Sequence, residues 1–229
     1  MNKKHMCLVL GMLLPLLGTT GCGAKTGNEK TQNRVVEAEG STEEAVNITK
    51  EIDSISSAKI RYYESFEELE SSANVIVRVR KTEKEENIVV HPEPERQEIC
   101  YGYTKSMVKV EQIMKNTSGQ QIAIGDEIQV LENQFTNIDE DTKVTYHVEQ
   151  YKMMEVDHEY ILYLDYSEKE QWYGILGVLQ GKIPVAEDED ILFPISSITF
   201  YEGQTQREED IEMQEFMKDI RKSSLEKYN

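Results

Sequence analysis

The chain has 229 residues, of which 30% are charged, and its 43 acidic against 25 basic side chains give a formal net charge of −18 at pH 7. This balance argues against nucleic-acid binding, because phosphate contacts dominate that class of interaction and an acidic surface repels them. The remaining partners are cations, basic proteins and neutral ligands.

The N-terminus carries the pattern of an export signal. Lys3 and Lys4 supply a positive segment, residues 6–17 an apolar one, and small residues precede Cys22. This pattern resembles a bacterial lipoprotein signal, in which the chain is cut before the cysteine and the cysteine is acylated. We therefore expect an extracytoplasmic protein, anchored to the outer face of the bacterial cell membrane through lipid on Cys22.

One residue departs from the lipoprotein pattern, since Thr19 stands where such signals usually have leucine. Ordinary secretion and an uncleaved anchor remain alternatives, although the apolar run falls short of the ~20 residues that span a bilayer. Cleavage would remove two lysines and no acidic residue, which leaves a formal charge of −20. It would also leave Cys100 without an intramolecular partner, and we expect Cys100 to be an inert thiol.

Composition divides the chain into four parts. Residues 23–57 are polar with scattered apolar positions and indicate a flexible linker. The predicted parts are a signal peptide (1–21), an acidic and polar linker (22–58), a β domain (59–205) and a C-terminal helix (206–229). The β domain is long enough to build one ordinary core.

In the first half of the domain, Ser65 and Glu68 fit a capping box and predict a short helix over 66–72. Residues 74–80 alternate and predict a half-buried strand. The charged segment 81–98 predicts a long solvated hairpin loop. A long strand over 99–114 and a turn over 116–119 follow.

The second half continues with short strands and ends in a helix. Strands are predicted over 127–134, 142–150, 159–166, 172–179 and 191–201. The strand over 159–166 is apolar on both faces and should be central, whereas Gly174 and Gly177 mark bends. Residues 206–228 predict an amphipathic helix that docks on the domain, because basic residues do not flank its apolar stripe as lipid binding requires.

The fold class predicted from this pattern is mainly β: a small, OB-like antiparallel barrel with a short N-terminal helix and a C-terminal amphipathic helix. The strand sequences 72–79, 107–116 and 157–163 resemble those of the N-terminal domain of tissue inhibitors of metalloproteinases. The resemblance covers 72–180 and implies an OB-type barrel. It does not extend to inhibition, because those inhibitors chelate zinc with a free N-terminal cysteine and here Cys22 is expected to be acylated.

Metal and cofactor sites are weakly indicated. Neither of two acidic turns has the alternating spacing and turn glycine of a calcium loop, so solvated turns are favoured and no cofactor is expected. His147 and His158 are a weak transition-metal pair. The calcium candidates in the two turns are Asp139, Asp141, Asp188 and Asp190.

No hydrolase, metalloprotease or phosphate-loop motif occurs in the sequence, so we predict a non-catalytic binding or interaction module. The alternative is a carbohydrate-binding domain or an enzyme of the cell envelope. Tyr166, Trp172 and Tyr173 are the predicted ligand face, for an envelope protein or a glycan. The aromatic residues in or beside predicted strands are Tyr101, Tyr103, Tyr146, Tyr151, Tyr163, Tyr166, Trp172 and Tyr173.

Overall fold

A computed structural model describes residues 47–91, 101–194 and 208–228, and it is mainly β with two helices. In chain order the elements are β1 (Lys50–Ser56), α1 (Phe66–Ser72), β2 (Val75–Val90), β3 (Tyr101–Asn116), β4 (Glu127–Glu132), β5 (Gln134–Asp139), β6 (Thr142–Val148), β7 (Glu159–Ser167), β8 (Trp172–Ile175), β9 (Lys182–Pro184) and α2 (Glu208–Tyr228).

The larger sheet has the strand order β2-β3-β4-β8-β7-β9, and β2 also pairs with β7, so the sheet returns on itself like a ring. The closure is uneven. Whereas β2 and β3 pair along most of their length, β4 and β8 pair in parallel through only Val130–Tyr173 and Leu131–Gly174. The ring therefore has its fewest backbone pairings between β4 and β8.

Strand β7 is central, as predicted from its two apolar faces. It pairs with β2, β8 and β9. Tyr160, Ile161, Leu162, Tyr163 and Leu164 are all fully buried. Valines of β2 and β3 pack against this strand in the same core. Because both faces of this strand are buried, β7 lies at the centre of the hydrophobic core.

The predicted loop over 81–98 is wrong for residues 81–90, which continue β2. The register shifts between Lys81 and Glu85, and pairing with β3 then resumes from Glu85 to Val90. A charged segment shows no alternation of apolar residues, so its sequence does not predict a strand. Backbone hydrogen bonds to a long partner strand form without such alternation. Residues 92–98 of the predicted loop lie outside the described residues.

The predicted linker over 22–58 is wrong for residues 50–56, which form β1 in a second sheet of order β1-β6-β5. Strand β1 pairs in parallel with β6, and β5 and β6 form an antiparallel hairpin. The sequence of β1 has only Ile52 and Ile55 as apolar residues, so the strand depends on a partner about 90 positions further along the chain.

Local signals are confirmed in both helices and in one turn. The Ser65 hydroxyl accepts a hydrogen bond from the Glu68 backbone N–H at 3.2 Å and caps α1. Gly119 has a positive φ of 80° in the predicted 116–119 turn. Helix α2 docks through its predicted apolar stripe, with Met217 and Ile220 buried.

A buried hydrogen bond of 2.7 Å between the Tyr163 and Ser224 hydroxyls joins α2 to β7. In the part of the chain that the structure describes, neither helix has the length and apolar character needed to cross a membrane. Of the predicted strand over 191–201, Leu192 forms an isolated bridge with Tyr151, and residues beyond 194 lie outside the described part.

Candidate functional site

An open groove is lined by residues of β7 and β8 and by the segment that carries Ile60 and Arg61. The register places Ser167 beside Trp172 and Asp165 beside Gly174. Because side chains alternate along a strand, Tyr173 points to the face opposite Trp172 and is buried in the core. Its partner Tyr166 lies beside it, with ring centroids 4.9 Å apart, and is half-buried at the edge of the groove. The structure therefore does not place the predicted ligand face on one surface.

The groove is a cavity of about 590 Å³, and Gly174 forms part of its floor. A Cβ built at Gly174 would meet only the Asp165 carbonyl, at 3.9 Å. The missing side chain therefore leaves the floor open. Residues that line the groove include Ile60, Arg61, Asp165, Tyr166, Ser167 and Trp172.

A buried amide holds one wall of the groove in place. Gln180 accepts a hydrogen bond from the Tyr63 backbone N–H at 2.8 Å and donates one to the Tyr63 carbonyl at 2.9 Å. Gly177 permits this arrangement, since its φ is +61° and a Cβ there would lie 2.5 Å from Gln180 Oε1. The segment carrying Ile60 and Arg61 is thereby fixed opposite β8.

Three aromatic side chains, Tyr101, Tyr103 and Trp172, form a continuous row that we call the aromatic row. The Tyr101 and Tyr103 rings stack with centroids 6.3 Å apart, and the Tyr103 and Trp172 rings meet edge to face at 5.2 Å. Tyr101 is 55% exposed. Trp172 belongs to both the row and the groove, so the two form one surface.

Sequence reasoning did not find this row. Tyr101 and Tyr103 share one face of β3, which period-2 alternation shows, but their approach to Trp172 requires the fold. Lys105 follows on the same face of β3 and lies 5.7 Å from the Trp172 ring. Partial burial, together with the neighbouring Tyr101, raises the pKa of Tyr103.

A second group, the buried cluster, comprises Glu132, Tyr151, Tyr160 and Lys182, all fully buried. The Glu132 carboxylate accepts hydrogen bonds from Ser106 Oγ at 2.5 Å, Tyr151 Oη at 3.0 Å and the Met154 backbone N–H at 2.7 Å. These bonds fasten residues 151–154 to the end of β4, beside the short pairing of β4 with β8.

Lys182 completes the buried cluster. Its Nζ lies 4.4 Å from the Tyr151 ring and donates a hydrogen bond to the Lys152 carbonyl. Burial lowers the pKa of Lys182 from its usual 10.5 to about 8. Burial also raises the pKa values of Glu132, Tyr151 and Tyr160. Because protein atoms bond the polar ends of these side chains, the arrangement is structural in character.

The acidic turns do not form a shared ligand set. Asp139 and Asp141 flank the β5–β6 hairpin turn, where the Asp141 carboxylate accepts a hydrogen bond from the Thr49 hydroxyl. Asp188 and Asp190 are exposed, whereas Glu189 between them is buried. Within residues 47–91, 101–194 and 208–228, no three His, Cys, Asp or Glu side chains are grouped to hold a metal ion.

The two histidines have separate partners. His147 lies 2.9 Å from Asp53 through Nε2 and 3.0 Å from the Tyr151 carbonyl through Nδ1. His158 lies 2.9 Å from the buried Glu189 carboxylate, and this bond raises the pKa of His158. The predicted pair is thus divided between β6 and the turn before β7. Cys22 and Cys100 lie outside the described residues.

Comparison with known proteins does not identify a family for this chain. No protein-family model matches the chain, and no curated protein matches it. The resemblance to tissue inhibitors of metalloproteinases stays a prediction from the strand sequences.

Proposed function

We propose that the chain is an extracytoplasmic lipoprotein, held at the outer face of the bacterial cell membrane by acylated Cys22, that carries a non-catalytic binding module. The N-terminal signal supports the anchor. The polar sequence between Cys22 and β1 is the composition that a tether requires.

The finer fold that we propose is an OB-type barrel. Counting only the ring, the first strand (β2) pairs with the second (β3) and the fourth (β7), and the third (β4) pairs in parallel with the fifth (β8). A five-stranded ring with one short contact fits the partly open Greek-key barrel of OB domains, which bind ligands on a sheet face and its adjoining loops.

The observation that carries the binding function is the open surface formed by the groove and the aromatic row. Trp172 and Tyr101 offer apolar ring faces there, and Asp165 and Ser167 offer polar atoms beside them. The markedly shifted pKa of Lys182 belongs to the buried cluster instead. This division favours recognition over catalysis on the open surface.

The anchor is tested by fractionating cells that express the full chain. Cys22→Ala is expected to move the protein from the membrane fraction to the soluble fraction, because acylation of that thiol is lost. Cys100→Ala is the control and should stay with the membrane. A Cys22→Ala protein that remains membrane-bound at its uncut length would contradict the anchor.

The binding surface is tested with the mature sequence from residue 23 and isolated cell envelopes. Trp172→Ala should weaken binding about tenfold, since an aromatic contact is worth about 0.5–1.5 kcal/mol beyond its buried area and about 1.4 kcal/mol is tenfold in affinity. Ile138→Ala is the control, because Ile138 is exposed on the smaller sheet. Equal binding by the two variants, with unchanged thermal unfolding, would overturn the assignment of this surface.

A further inference from the structure

We propose that the aromatic row binds an uncharged stretch of an envelope polysaccharide, with successive sugar rings lying on Trp172, Tyr103 and Tyr101. This inference rests on the proposed binding function and names its ligand class.

The spacing of the row suits a ligand built from repeating rings. The ring centroids follow one another at 5.2 and 6.3 Å, separations comparable with the length of one sugar residue in a polysaccharide. Tyr101 and Tyr103 are inclined by only 14°, whereas Trp172 is inclined by 60° to Tyr103, so a polysaccharide that follows the row turns between Tyr103 and Trp172. Trp172 then leads the row into the groove, which extends the surface beyond a single-ring site.

The rigidity of the strands that carry the row also supports a polysaccharide ligand. Tyr101 and Tyr103 lie in β3, which pairs with β2 at Gly102 and Tyr103, and Trp172 lies in β8. Strands hold their side chains in few rotamers, and tyrosine and tryptophan have only two side-chain torsions, so little conformational entropy is lost when a ligand binds. A rigid row of rings suits a repeating ligand.

Charge excludes a phosphate polymer as the occupant. Lys105, beside the row, pairs with Glu86 at 3.1 Å, and Lys169, near Tyr101, pairs with Glu170 at 2.6 Å. Arg61, in the groove, pairs with Glu68 at 3.3 Å. Binding of a phosphate polymer depends on cations that are available to neutralise its phosphates. Both lysines here are neutralised by carboxylates, and the whole chain is strongly acidic.

Polarity favours a sugar over a protein. Stable protein interfaces deplete charge from an apolar centre. In this surface the exposed carboxylate of Asp165 and the Ser167 hydroxyl lie at the positions paired with Gly174 and Trp172. A pyranose ring has an apolar face and a rim of hydroxyls, so it matches aromatic faces bordered by hydrogen-bonding groups.

The test uses the mature sequence from residue 23 and three preparations of bacterial envelope: untreated, freed of protein by protease, and freed of both protein and phosphate polymers. We expect equal binding to all three. Tyr101→Ala and Tyr103→Ala should each weaken binding to the third preparation about tenfold. Tyr146→Ala, a tyrosine in β6, is the control and should bind like the unaltered chain.

The outcomes separate the two proposals. No binding to any preparation by the unaltered chain would overturn the proposed function itself. Binding that disappears after protease, or after removal of the phosphate polymers, would leave the binding module in place but overturn the polysaccharide. Unchanged binding by folded Tyr101→Ala and Tyr103→Ala would overturn the row as the contact surface. Because Tyr101 is 55% exposed, its replacement does not open the core.

Discussion

The buried cluster and the aromatic row use the same residue types for different purposes. In the buried cluster Lys182 lies 4.4 Å from the Tyr151 ring, and beside the row Lys105 lies 5.7 Å from the Trp172 ring. Lys182 and Tyr151 are fully buried with bonded polar ends, whereas the row is partly exposed. The comparison shows that burial assigns one group to stability and leaves the other available for recognition.

Removing the carboxylate of the buried cluster should have the largest effect. Glu132→Ala leaves the Ser106 hydroxyl, the Tyr151 hydroxyl and the Met154 N–H without their acceptor. We expect the free energy of unfolding in urea to fall by about 3–5 kcal/mol, since each unpaired buried group costs about 1–3 kcal/mol. Glu132→Gln keeps the shape of the side chain and one acceptor oxygen, so it should lower the free energy of unfolding by less than Glu132→Ala.

The matched control lies on the same strand. Glu127 pairs with Lys84 at 2.7 Å, but their side chains are 38% and 67% exposed. Glu127→Ala should therefore cost less than about 1 kcal/mol. If Glu132→Ala and Glu127→Ala were equally stable, the buried cluster would not hold the fold together as described.

The second prediction concerns pH. The pKa of Lys182 is about 8 in the folded chain and 10.5 is its usual value, so between these pH values the unfolded chain binds the extra proton. The free energy of unfolding should therefore rise with pH above 8, by about 1.4 kcal/mol per pH unit, because the cost of burying the ammonium is relieved. Below pH 8 that cost is fully present.

Lys182→Met isolates this contribution. Urea unfolding of both proteins at pH 7.0, 8.5 and 9.5 should show the unaltered chain gaining stability relative to the variant at the upper two values. The series stops below pH 10, where unfolded tyrosines ionise and the raised pKa of Tyr160 acts in the opposite direction. Parallel stability profiles for the two proteins would contradict a buried ammonium at Lys182.

Two glycines give the smallest effect and the sharpest separation of stability from recognition. A Cβ at Gly102 would lie 2.3 Å from the Phe135 ring, whereas one at Gly174 meets nothing closer than 3.9 Å. Gly102→Ala should lower the free energy of unfolding by about 1–3 kcal/mol through overpacking. Gly174→Ala should leave it unchanged and weaken envelope binding, because the methyl group fills the groove floor.

Thermal unfolding and the envelope-binding assay measure the two effects on the same samples. Phe135→Leu in the Gly102→Ala background should recover part of the stability, which identifies the clash as its cause. Unchanged binding by Gly174→Ala would remove the groove floor from the binding surface, whereas Gly102→Ala tests stability alone, because Gly102 lies between Tyr101 and Tyr103 of the row.

The sequence by itself determined the elements whose signals are local. Four features can be recognised from a few neighbouring residues each: the Ser65 cap, the apolar stripe of α2, the 116–119 turn and the two apolar faces of β7. Each such signal reports a backbone preference or a buried face, and it can be recognised from a short stretch of sequence without knowledge of the distant partners. The mainly β class follows from them.

Tertiary structure alone decided the elements that depend on distant partners. Strand β1 exists because β6 pairs with it, and residues 81–90 extend β2 because β3 is equally long. Charged strands lack the periodicity that predicts a strand, since their stability comes from backbone hydrogen bonds and not from a buried face.

The candidate surface divides in the same way. Trp172 was expected at a ligand face from its residue type and its strand. Its meeting with Tyr103, and the burial of the adjacent Tyr173, depend on how β3, β4 and β8 are brought together in the ring. The sequence specifies which side chains are aromatic, and the packing of strands distant in sequence decides which of them reach the surface, because burial is a property of the assembled sheet.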